Sequence, residues 1–184
     1  FSSIYWRSTT ENFTLTIGLI MQQAHDFLEE SKLLYELLLE RSESDLELIT
    51  QFKNWSIEDV IGHLYLFNVA AIKTVNGPKS FEDFFIPFLQ QLQKGKTMVE
   101  AQVPWLNGLS GKVLLNKWWD SCLELEKIYS NIDPKLRVKW AGPEMSARSS
   151  ITARQMETWS HGHEVFDRLG QKREEGDHIK NIIH

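Results

Sequence analysis

A single cysteine, Cys122, is all the thiol this 184-residue chain contains, so no internal disulfide and no cysteine-rich zinc module can form. Basic blocks are missing as well. The net charge is −5, which excludes the electrostatic footprint of a nucleic-acid binder. No apolar run is long enough to span a bilayer. The N-terminal stretch "FSSIYWRSTTENFTLTIGLIM" is broken by Thr14, Thr16 and Gly18, and no basic segment leads into it as in a signal peptide. No membrane partner is expected, and with a lone cysteine the cytoplasm is the simplest location. Repeats, low-complexity tracts and the two-residue period of strands are also lacking.

What the chain does have is helical periodicity and enough apolar residues, 42%, to bury one core. From Ile17 to Leu39 the residues Ile17, Ile20, Ala24, Phe27, Leu28, Leu34, Leu37 and Leu38 recur at three- and four-residue steps, which predicts a helix over 17–40. A second helix, 56–75, opens on Ser56 and Asp59 at capping-box spacing and ends at Asn76-Gly77-Pro78. A shorter one follows with Ser80 and Asp83 at the same spacing, and Pro87 should bend or restart it. A third long helix covers 111–131 and stops at Asp133-Pro134. After the shaped loop "PKLRVKWAGPEMSARSS", the last covers 149–169 and is closed by Gly170. The expected fold class is all-α, a four-helix bundle with short accessory helices. Residues 1–15 read as a disordered or cloning-derived lead-in, and 16–175 as the bundle. Residues 176–184 read as the start of a further helix, cut before a C-terminal domain.

The polar residues gather in "RQMETWSHGHEVFDRLG", residues 154 to 170. On a continuous helix His161 and His163 point about 200° apart, so they cannot share one ion. Residues four apart share a face, which leaves two pairs, Glu157 with His161 and His163 with Asp167. A carboxylate and an imidazole on one face supply two ligands of a divalent-metal site, and a third should come from a facing helix. His63 is the candidate, because Val60, Phe67 and Ala70 on the same face point it into the bundle. The plainer alternatives are a hydrogen-bonded core histidine and a solvated ion pair.

These residues also carry a resemblance. "WSIEDVIGHL" resembles the second-helix motif of the DinB-like metal-binding superfamily, and most of all the N-terminal domain of mycothiol-dependent maleylpyruvate isomerase. "WAGPEMSARSSITARQMETWSHGHEVFDRLG" is similar to a branch marked by a Trp-x-Gly-Pro-x-Met-Ser loop leading into Ala-Arg-x-Met-Glu-Thr-Trp-x-His-Gly. The resemblance implies a DinB-like four-helix bundle holding zinc or another divalent metal on His63, Glu157 and His161. It also implies a low-molecular-weight thiol activated at the open metal position, as in the thiol-dependent members. Full-length relatives carry a smaller C-terminal α/β domain, from which the isomerase recruits an arginine to its site; the resemblance implies that this chain ends before that domain.

The function so implied is that of a zinc-dependent, thiol-using isomerase or S-transferase acting on a small molecule. A metal-dependent hydrolase and a non-enzymatic metal-binding bundle are the alternatives. A homodimer is an assembly the reading allows. Cys122 has no base nearby in sequence, so a reacting thiol is expected from outside. Candidate substrate contacts are Trp140, Ser146, Arg148 and Arg154: the first three border the start of the last helix, where free N–H groups and the dipole favour an anion. Ordinary capping by Ser149, a solvated Arg148 and a surface ion pair at Arg154 are the competing readings.

Overall fold

In the computed structural model, which describes residues 21–183, four long helices carry the core. They are α1 (Gln22–Leu39), α3 (Ile57–Val75), α6 (Gly111–Tyr129) and α7 (Ala147–Arg168), joined by the shorter α2 (Glu43–Leu46), α4 (Pro78–Gln93) and α5 (Met98–Leu106). Helix α1 packs on α6 and α7, and α3 packs on α6, α4 and α7. The α1 stripe of Ala24, Phe27, Leu34 and Leu38 is fully buried, as is the α6 stripe of Leu114, Trp118, Cys122, Leu125 and Tyr129. Each large side chain so removed from water contributes roughly 1.5–3 kcal/mol, which makes these stripes the main source of bundle stability. The lead-in over residues 1–15 and the positions Ile17 and Ile20 lie outside the described residues.

Local chemistry fixes where the site helices begin. Ser56 caps α3: its Oγ accepts from the Asp59 N–H at 3.0 Å, and its own N–H donates to Asp59 Oδ2 at 2.9 Å. Helix α7 starts two residues before its expected position, because Ser146, not Ser149, is the N-cap and accepts from the Ser149 N–H at 3.1 Å.

Other expectations need correction. Ser80 and Asp83 do not cap α4. Pro78 starts that helix, since its fixed φ suits the first turn, and Asp83 pairs with Lys79 instead. Pro87 does not end α4 either, because Phe81, Phe85 and Phe88 bury both sides of it in one apolar cluster. A strand pair, β1 (Arg137–Val138) with β2 (Met145–Ser146), is antiparallel and only two residues long, too short to leave a period in sequence.

Past Gly170 the chain folds back over the bundle. Asp177–Asn181 forms a 3-10 helix against α1, with Ile179 buried. Buried Glu30 of α1 accepts from Arg173 and lies 3.1 Å from His178 Nε2. Gln155 of α7 donates to the His178 carbonyl at 2.7 Å. Among the described residues no helix is long and apolar enough to cross a membrane.

Candidate metal centre

Helix α3 brings His63 against the middle of α7, and the i, i+4 spacing places Glu157 and His161 side by side opposite it. His63 Nε2 lies 3.4 Å from Glu157 Oε2, and His161 Nε2 lies 3.5 Å from the same oxygen. The three donor atoms all fall within 4.8 Å of one another. Both imidazoles are clamped by aromatic rings. Phe67 lies 4.6 Å from His63, Phe52 meets His161 edge-on at 4.9 Å, and Trp55 touches both.

His163 takes no part. Helix α7 runs unbroken through Gly162, so His163 faces away, edge-on to Trp159 and 3.3 Å from Glu175. The pairing of His163 with Asp167 does not form, because the returning tail supplies Glu175 instead.

The donor set fits a divalent ion on two counts. Its two N···O separations are long for charge-assisted hydrogen bonds, but they match the edge of a tetrahedron, about 3.4 Å, for metal–ligand bonds of about 2.1 Å. Burial pushes the His63 pKa down to about 4, against the opposing pull of its Glu157 hydrogen bond, so the ring is neutral near pH 7. Hydrogen bonds from His161 and His63 hold the Glu157 carboxyl far below the usual range. A neutral imidazole and an ionised carboxylate are the forms that ligate.

The three groups form the floor of an open pocket of about 490 Å³, walled by Phe52, Trp55, Met98, Met156 and Trp159 with Lys53 at its lip. Lys53 and Asn54 both adopt the left-handed conformation, and Lys53 Nζ sits 5.1 Å from the Phe52 ring centre. Trp55 and Phe52 were not among the candidates read from sequence. The tryptophan just before the Ser56 cap was the available signal.

The other candidates are dispersed. Trp140 stacks on Phe81 in the second aromatic cluster, Ser146 is a helix cap, and Arg148 is exposed beside a separate pocket of about 360 Å³. None of the three lines the histidine pocket. Arg154 is the surprise. It is not a surface ion pair but is 2% exposed, with its Nε donating to Asn68 Oδ1 at 3.2 Å and its guanidinium 5.6 Å from the Phe67 ring.

The family model described as the mycothiol maleylpyruvate isomerase N-terminal domain matches residues 27–166, a span that includes all three donor residues. Two curated Mycobacterium tuberculosis proteins match at 30% identity over 135 residues. They are uncharacterized protein MT0041 of strain CDC 1551 / Oshkosh and uncharacterized protein Rv0036c of strain ATCC 25618 / H37Rv. Each alignment covers 73% of this chain and 51% of the relative, so the chain spans about half the length of the curated relatives it matches. No solved structure matches.

Proposed function

The chain belongs to the mycothiol maleylpyruvate isomerase N-terminal domain family, and from that premise we propose that it binds one divalent metal, zinc by preference, on His63, Glu157 and His161. We further propose that the site serves a thiol-dependent isomerisation or S-transfer on a small molecule. The observation that carries this reading is the convergence of the three donor atoms on the floor of an open pocket. A zinc ion held by three protein groups keeps a position free for an exogenous ligand, whereas a structural zinc is closed by four.

Bound there, a divalent metal supplies Lewis acidity that lowers the pKa of a thiol or water at the free position. The chain's own residues do the rest. Glu157 brings the negative charge, while His63 and His161 bring neutral nitrogens. Phe52 and Trp55 keep bulk water off the imidazoles, and the Lys53 ammonium at the lip is placed to meet an anionic substrate group. The chain's own thiol is unsuited to the chemistry, because burial pushes Cys122 up to about 12. We take the nucleophile to be a free low-molecular-weight thiol, as the family's description implies. Substrate contact falls to the pocket wall, chiefly Phe52, Lys53 and Trp159.

Cobalt substitution tests this reading. One equivalent of Co(II) should bind per chain with a tetrahedral visible spectrum, and a small thiol should add a sulfur-to-cobalt charge-transfer band. An alcohol of the same shape should not. No metal uptake would remove the whole reading, whereas uptake without a thiol band would leave a metal-dependent hydrolase in its place.

A further inference from the structure

Arg154 poses a problem in electrostatics. It is buried, it forms no ion pair with any described carboxylate, and its Nη2 has no hydrogen-bond partner. Burying an uncompensated charge is among the costliest things a fold can do. Its one side-chain hydrogen bond goes to Asn68, a neutral amide that differs from a neutralising aspartate by a single atom. Asn68 is itself held in place, donating to Ser121 Oγ at 3.0 Å and lying 3.4 Å from Cys122 Sγ. The guanidinium is thus oriented but not neutralised. Burial lowers its pKa only to about 10, so it stays charged at neutral pH, and the charge it feels most is that of Glu157, one turn along α7.

We propose that Arg154 is a fixed buried cation that sets the ligand preference of the His63–Glu157–His161 site, favouring an anion such as a thiolate over a neutral ligand in the position the protein leaves open. The inference rests on the metal reading given above. Two neutral imidazoles and one carboxylate leave a divalent ion with one uncancelled positive charge, and Arg154 adds a second behind it. Beside the buried guanidinium that excess is screened less than in water, so an incoming anion is favoured over a neutral ligand. Arg154 is a positioning residue in this account, acting through the field and touching neither metal nor substrate.

Its consequences have opposite signs, which a merely structural role cannot imitate. Removing the positive charge should tighten metal binding and weaken anion binding. Arg154→Met deletes the charge. Asn68→Asp keeps the arginine and cancels its charge in place, so it does not depend on the methionine variant folding. Both proteins and the wild type are titrated with Co(II), and each cobalt form is then titrated with azide, followed by visible absorption. Each variant should bind cobalt on the order of tenfold more tightly and azide on the order of tenfold more weakly than wild type. Arg154→Lys should stay within about threefold of wild type in both. If the wild type takes up cobalt but both affinities fall together, or neither moves by more than about twofold, Arg154 is only a packing residue. If the wild type takes up no cobalt, the metal reading itself is lost.

Discussion

Two glutamates, each set between two partners, behave in opposite ways. Glu30 lies between Arg173 and His178, and Glu157 between His63 and His161. The first cluster is sealed, with the Glu30 side chain 1% exposed and that of Arg173 3%. The second opens on a pocket, with Glu157 41% exposed. In the first, a guanidinium touches the carboxylate and cancels it. In the second, Asn68 holds the guanidinium of Arg154 out of contact, and only imidazoles face the carboxylate. Nearly the same residue types make a fastener in one place and a donor set in the other, and contact with a cation decides which.

The largest expected effect breaks the donor set. His161→Ala or His63→Ala should weaken metal binding by more than about 100-fold, beyond what losing an outer partner of a ligand costs. His163→Ala should leave one metal per chain, and competition with a chromophoric chelator measures all three. Breaking the fastener should do the reverse. Arg173→Met strands buried Glu30 and should cost about 3 kcal/mol in urea denaturation, while metal stoichiometry stays at one.

Acidification sharpens the same contrast. The folded pKa of His63, about 4, lies below its ordinary 6.5, so the unfolded chain takes the proton first. Stability of the metal-free protein is therefore full above pH 6.5 and declines as the pH falls toward about 4. Glu157 adds in the same direction at lower pH, because its folded pKa lies below the ordinary 4.5. At about 1.4 kcal/mol per pH unit, the His63 contribution lost between pH 7 and pH 5 is about 2 kcal/mol. Urea midpoints of chelator-treated protein should show it, and His63→Gln should flatten the curve. An equal slope in that variant would place the titration elsewhere.

Much of this was legible in sequence, and what was not has a common cause. The Ser56 cap, the four long helices and the pairing of Glu157 with His161 follow from short-range rules, three and four residues apart. The third partner came from an apolar neighbourhood and from the resemblance. The burial of Arg154 is not legible, because nothing local announces that Asn68, 86 positions away, receives it. Glu30 was passed over although it sits on the Phe27–Leu34 stripe, and a charged residue there needs a partner. That partner lies 143 positions away. The short α5 carries a Thr97–Glu100 capping box that sequence could have supplied, whereas the β1–β2 pair offered no signal.

The smallest effect concerns the glycine between the two histidines. Gly162 is not a hinge, since α7 passes through it unbroken. A Cβ there would lie 3.2 Å from Arg173 Nη1, tighter than ordinary contact. That guanidinium cannot easily yield, because Nη1 donates to the Trp159 carbonyl at 2.9 Å while Nη2 is bound to Glu30. Alanine, on the other hand, is favoured over glycine inside a helix by about 1 kcal/mol. We expect the clash to win narrowly, so that Gly162→Ala costs about 0.5 kcal/mol in the wild type. In the Arg173→Met background the obstacle is gone, and the same change should stabilise by up to about 1 kcal/mol. A four-protein urea cycle reads this reversal of sign. Stabilisation in both backgrounds would mean that Arg173 moves freely and that the fastener is looser than its burial implies. Metal uptake by Gly162→Ala adds a separate check: a glycine needed to swing His163 onto the ion would cost the site its metal, whereas a glycine needed only to admit Arg173 leaves one metal bound.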